Sequence, residues 1–115
     1  MCTQAQLDKI TNEVTQGAKK ILGDKLRKVI LYGSYARGDY DNESDIDIMV
    51  LADIKDEEAF PFREEMVNTT GKLCLENDII ISIFAKNYNH FYEWVEVLPF
   101  YKNVVNDGVE LYVNQ

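Results

Sequence analysis

Residues 32–51 read YGSYARGDYDNESDIDIMVL, and the fold turns on how the two ends of this stretch are joined. Leu26 to Tyr32 (LRKVILY) is β-branched and apolar toward its end, which predicts a strand running into Gly33. Ser44 to Leu51 (SDIDIMVL) predicts a second strand, opening with acid and isoleucine in alternation. The eleven residues between them hold no long crossover helix, whereas a parallel pair needs about a dozen residues or more. The two strands are therefore expected to be antiparallel, which makes the sheet mixed.

Outward from this stretch the pattern is legible on both sides. Upstream, Thr3 and Gln6 form a capping-box pattern, and Leu7, Ile10, Val14, Ala18 and Ile21 recur at helical spacing until Gly23, which predicts a helix over 4–22. Downstream, Lys55 to Asn77 predicts a helix starting near Pro61, and Asp78 to Ala85 (DIIISIFA) a third strand. Residues 88–98 predict an amphipathic helix, with Phe91, Trp94, Val95 and Leu98 as core. Residues 103–113 predict a short helix or turn closing at Gly108, then an extended end. The sum is an α/β (α+β) fold with a small mixed sheet flanked by helices, and residues 1–115 read as one domain.

Composition narrows the function. Twelve Lys and Arg against twenty Asp and Glu give a net charge of −8, which repels polyanions and argues against direct nucleic-acid binding. No apolar run approaches the roughly 18 residues of a membrane span, and no secretory signal is visible, so a cytoplasmic location without membrane contact is expected. Cys2 and Cys74 stand in no zinc pattern, and His90 is the single histidine. Cys74 reads as a buried small hydrophobe and Cys2 as part of a mobile terminus.

Three motif readings of residues 33–50 fail. Gly33 and Gly38 have P-loop spacing, but Asp39-Tyr40 stands where Lys-Ser/Thr must follow. Tyr35 occupies the second glycine of a dinucleotide fingerprint. An EF-hand starting at Asp39 would need Gly at Ser44 and Glu at Val50. What survives is a Gly-Ser pair at the end of one strand and Asp45 and Asp47 on the next. Residues i and i+2 of a strand share a face about 7 Å apart, while Ile46, Ile48 and Val50 anchor the other face. Hard carboxylate oxygens on a rigid strand suit Mg²⁺ or Mn²⁺. Gly33 lets the backbone approach a polyphosphate, Ser34 opens a short helical turn through Tyr35 and Ala36 that can bind phosphate oxygens, and Arg37 can add a guanidinium.

GSYARGDYDNESDIDIMV (33–50) closely resembles the signature of the DNA polymerase β-like nucleotidyltransferase superfamily, specifically its minimal nucleotidyltransferase (MNT) members, and LPFYKNVVNDGVELY (98–112) resembles the C-terminal end of such domains. The resemblance implies transfer of a nucleoside monophosphate, AMP from ATP, to a hydroxyl acceptor with release of pyrophosphate and help from Mg²⁺ or Mn²⁺. It implies triphosphate binding at Gly33 and Ser34, and metal binding and catalysis at Asp45 and Asp47. It further implies a third carboxylate on a later strand, as metal ligand and activator of the acceptor. Asp78, the acid that opens the third predicted strand, is assigned there; Ser82 stands nearer that strand's end, and if it occupies the position the constellation is incomplete.

The resemblance also implies a partner, an all-helical HEPN-type protein carrying the acceptor tyrosine, with this chain as antitoxin of a toxin–antitoxin pair. The alternative is a catalytically weak nucleotide-binding module that neutralises such a partner by contact. A homo-oligomer is compatible with the sequence.

Overall fold

The computed structural model describes residues 2–114. In chain order these form α1 (Gln4–Leu22), β1 (Leu26–Tyr32), α2 (Ser34–Arg37), β2 (Ile46–Ala52), α3 (Asp56–Asn77), β3 (Ile81–Asn87), α4 (Tyr88–Trp94), α5 (Pro99–Asp107) and β4 (Val109–Val113). The strands make one sheet in the order β3-β2-β1-β4. β1 is antiparallel to β2 and to β4, and the β1–β2 connection holds only the one-turn α2 rather than a long crossover helix. β2 and β3 are parallel, and α3 supplies the long crossover between them.

Alternation along β2 divides the core in two. Ile46, Ile48 and Val50 join Val29 and Leu31 of β1 under Ile10 and Val14 of α1 and Met66 of α3. Met49 and Leu51 face the other way, with Ile30 and Tyr32, against Phe91 of α4 and Tyr101 and Val104 of α5. Asp47 shares the parity of Met49 and so belongs to this second face. It is only half-buried there.

α1 begins and ends as its sequence predicts. Gln6 N donates to Thr3 Oγ1 at 3.1 Å and Thr3 N to Gln6 Oε1 at 2.9 Å, while Gly23, at φ 56°, closes the helix with its N–H on the Lys19 carbonyl.

Other boundaries differ from expectation. β2 starts at Ile46 rather than Ser44, which leaves Asp45 immediately before the strand. α3 starts at Asp56, so Pro61 lies inside it. Asp56, Glu57 and Glu58 favour that earlier start through the helix dipole, and Lys55 N donates to Glu58 Oε1 at 2.9 Å. Pro61 forfeits one helical hydrogen bond, and burial of Phe62, Met66 and Leu73 outweighs the loss.

β3 starts at Ile81 rather than Asp78. Asp78 caps α3 in the left-handed conformation, φ 50° and ψ 53°, with its N–H on the Cys74 carbonyl. Asp is among the few residues that tolerate that geometry.

α5 starts at Pro99, a proline at N1, rather than at Asn103, and Val109–Val113 is a full strand on β1. The helix expected over 88–98 ends at Trp94. Phe91 is fully buried, but Trp94 and Leu98 are exposed, so that apolar run is only partly core. No helix among the described residues is long and apolar enough to cross a membrane.

Candidate active site

The site grows from the junction of β1 and α2. Gly33 has φ 79° and ψ −157°, a conformation open essentially to glycine alone. There is a second reason for glycine: a Cβ at this position would collide with Oδ2 of Asp47. The backbone of the turn thus lies directly against the carboxylate. Ala36 N and Arg37 N both donate to the Gly33 carbonyl at 3.1 Å, and Gly38 N donates to the Ser34 carbonyl at 2.9 Å. This is one helical turn, whose first N–H groups, those of Ser34 and Tyr35, have no acceptor within it.

Tyr35 holds the turn in place from below. Its ring is buried and stacks on Tyr40 at 4.3 Å between centroids, and its hydroxyl accepts a hydrogen bond from Cys2 N at 3.2 Å. Cys2 is accordingly buried and belongs to the core, not to a mobile end, whereas Cys74 is half-buried rather than buried.

Asp47 lies across from Tyr32 on β1 and from Ser82 on β3. Asp45 is two residues earlier and also half-buried. Burial, and then the negative charge of Asp45, hold the Asp47 carboxyl above the ordinary aspartate range, with Arg37 pulling the other way. Burial, and then the charge of Asp47, likewise push the Tyr32 phenol up. The folded state therefore takes up a proton at Asp47 more readily than the unfolded chain does. Asp47 destabilises the fold at neutral pH, and that penalty is relieved as pH falls through its raised pKa.

Two hard, mutually repelling carboxylates fit a divalent cation of the Mg²⁺ type, which takes one or two carboxylates and completes its shell with phosphate oxygens and water. A proton at Asp47 would compete with such a cation. If the pair holds Mg²⁺, its affinity measured by calorimetry should decline as pH falls, beginning at a higher pH than an ordinary aspartate would impose.

The remaining predicted site residues divide. Arg37 is close enough to act on Asp47, but its Nε donates to Asp39 Oδ2 at 3.1 Å and its Nη1 lies 4.0 Å from Asp107. Asp78 is exposed at the end of α3 and lines an open 560 Å³ cavity that also reaches Ser44, Asp45, Leu75 and Ile80. Ser82, not Asp78, is the β3 residue opposite Asp47. Among the described residues, no three His, Cys, Asp or Glu side chains are grouped to hold a metal ion. The structure therefore brings together Gly33, Ser34, Asp45 and Asp47, keeps Arg37 at their edge, and places Asp78 off the sheet, in the cavity it shares with Asp45.

Sequence reasoning missed Phe84 and Phe100. Phe84 shares the face of Ser82, and the Phe100 ring lies 5.7 Å from Tyr32 and 6.2 Å from Phe84. Strand parity could have placed Phe84; nothing in the sequence could have placed Phe100.

The family model described as polymerase beta, nucleotidyltransferase matches residues 12–115. A protein of Methanocaldococcus jannaschii, named as a candidate protein adenylyltransferase, is 35% identical over 108 residues, covering 92% of this chain and 99% of the relative. Among solved structures, a candidate nucleotidyltransferase from Sulfolobus solfataricus superposes with TM-score 0.58 and 20% identity, over 96% of this chain and 86% of that one. A chain of a toxin–antitoxin assembly crystallised with AMP-PNP superposes with TM-score 0.55 and 22% identity, over 91% and 74%. At these identities the two structures speak to the fold.

Proposed function

We propose that this chain, which belongs to the polymerase β nucleotidyltransferase family and is a nucleotidyltransferase, moves AMP from ATP to a tyrosine hydroxyl of a helical HEPN-type partner protein, as the antitoxin of a toxin–antitoxin pair. The observation that carries the reading is the contact of Gly33 with Asp47, which sets a phosphate-binding turn directly against a carboxylate pair. The name of the archaeal relative supports a protein as acceptor, and the toxin–antitoxin neighbour supports such a partner. Residues 1–115 act as one nucleotidyltransferase domain, with the acceptor surface completed by the partner.

In this reading the N–H groups of Ser34 and Tyr35 and the Ser34 hydroxyl hold the β- and γ-phosphates, and Arg37 adds positive charge at the rim. Asp45 and Asp47 hold Mg²⁺, which when bound neutralises charge on the phosphates. The acceptor oxygen forms a bond to the α-phosphorus as the bond from that phosphorus to the bridging oxygen breaks. Pyrophosphate leaves with the electron pair, and the hydroxyl proton passes to water. Catalysis is then mainly positioning and charge neutralisation.

Ser34→Ala removes a hydrogen bond to a charged phosphate, an interaction of about 1.5–3 kcal/mol. ATP affinity in the presence of Mg²⁺ should drop roughly 10- to 100-fold by calorimetry, with the melting temperature nearly unchanged because Ser34 is not in the core.

The deciding experiment combines α-labelled ATP, Mg²⁺ and the product of the gene neighbouring this chain's own. Label on a partner tyrosine, located by mass spectrometry and lost in Asp45→Ala, is the expected result. One observation favours the second reading, a contact-only antitoxin that binds nucleotide: Ser82 stands where a third carboxylate would face Asp47. A stable complex that carries no label would establish that alternative instead.

A further inference from the structure

We propose that Phe84 and Phe100 form the acceptor side of the site, a seat for the aromatic ring of a hydroxyl-bearing acceptor; this rests on reading Gly33, Ser34, Asp45 and Asp47 as the triphosphate and metal side. Tyr32, Asp47 and Ser82 form one row across three strands, and Met49 lies in the next row beside Ile30 and Phe84. The Phe100 ring meets Tyr32 edge-on at 73° and Phe84 edge-on at 71°. It therefore spans from β1 to β3 over β2, between the Asp47 and Met49 rows.

These rings are held but not covered. Edge-to-face contacts fix both, and the Arg63 guanidinium lies 5.3 Å from the centroid of the Phe84 ring. Yet Phe84 is 39% and Phe100 44% exposed, whereas their neighbours Phe91 and Tyr101 are 0% and 7% exposed. Rings serving the core alone would be shielded as those neighbours are. Exposed Leu98 and Val97 extend the apolar surface along the chain before Phe100, which suits an acceptor presented on a protein surface.

Direction follows from the displacement. Attacking and leaving oxygens lie roughly in line at phosphorus. Gly33 and Ser34, which hold the departing pyrophosphate, follow β1, so the entering oxygen comes from the opposite flank of Asp47, where β3 presents Ser82 and Phe84, and Phe100 reaches toward that flank from its contact with Tyr32. A phenol brings its own ring to such a seat, whereas an aliphatic hydroxyl on a one-carbon stem has nothing to lay on it.

The test is an NMR titration of the full chain with Mg²⁺ and AMP-PNP, and with N-acetyltyrosinamide as acceptor probe, with and without the nucleotide. AMP-PNP should shift the Gly33, Ser34 and Tyr35 amides and leave the Phe84 and Phe100 ring signals in place. N-acetyltyrosinamide should shift Ser82, Phe84 and Phe100, and do so without nucleotide as well. Phe100→Ala, at an exposed position, should keep AMP-PNP affinity and bind the probe about 2- to 12-fold more weakly. The seat is refuted if AMP-PNP alone moves both rings, which would assign them to the base, or if Phe100→Ala binds the probe like the parent chain. Loss of AMP-PNP binding at Gly33 and Ser34 would sink the nucleotidyl-transfer reading instead, since the probe titration without nucleotide reads the rings independently.

Discussion

Asp47→Asn should lower the rate of AMP transfer by at least about 10³-fold while raising the melting temperature. In the proposed function Asp47 holds a phosphate-bound cation, and loss of that ligand would forfeit several kcal/mol of transition-state stabilisation, which corresponds to about that factor. The stability change runs the other way because of what surrounds the residue. Asp47 is partly buried, flanked by the like charge of Asp45, and held above its ordinary pKa, so its ionised form is disfavoured in the folded chain at neutral pH. The amide keeps the shape and drops the charge. Stability gained at pH 7 should fade as pH is lowered and the parent's carboxyl becomes protonated. Thermal melts of parent and variant at pH 7 and pH 4.5, beside a labelled-ATP assay, read both effects. A variant less stable than the parent at pH 7 would contradict the assignment of Asp47 as a strained, functional carboxylate.

Gly33→Ala should damage both fold and activity. The φ of 79° with ψ −157° costs a residue with a side chain about 1–3 kcal/mol, and a methyl group at this position also displaces the Asp47 carboxylate. The melting temperature should drop by roughly 5–15 °C. The clash involves the far end of the Asp47 side chain, so the carboxylate can swing away, and in doing so it leaves the place where it meets the phosphate turn. Transfer should therefore fall well beyond what lost stability explains, at temperatures where the variant is fully folded. A double-mutant cycle with Asp47→Ala separates the causes. The collision vanishes when Asp47 is truncated and the backbone strain persists, so the two substitutions should be less than additive in stability. Strict additivity would mean that Gly33 and Asp47 do not press on each other.

Much of this site lies in local sequence. Ser34 follows Gly33 directly, and Asp45 and Asp47 are two residues apart with isoleucines at 46 and 48, so the alternation sets Asp47 on its face of β2 and keeps Asp45, just before the strand, close to it. The β1–β2 connection, which has no long crossover helix, also favours the antiparallel pairing that brings the Gly-Ser turn beside the acids. Boundaries were less legible where capping competes with strand propensity. Asp78 opens a β-branched run and looks like a strand start, but helix α3 claims it as a left-handed cap. Trp94 and Leu98 keep helical spacing with Phe91, yet α4 ends at Trp94 and Pro99 starts a new helix, so that spacing never becomes one buried face.

By itself, the sequence determined a mixed sheet, a glycine turn and a carboxylate pair, because each depends on contacts within a few residues or on the length of one loop. Which residue faces Asp47 from β3 was a tertiary decision. The end of α3 at Asp78 and the parallel register of β3 set Ser82 there and left Asp78 in the helix cap, before the strand. The uncovered ring of Phe100 is tertiary as well: it comes from a helix more than fifty residues beyond Asp47 and arrives only because α5 packs Tyr101 and Val104 onto the second face of the sheet. Long-range placement of this kind is set by which apolar faces must be buried together, and no local spacing records it.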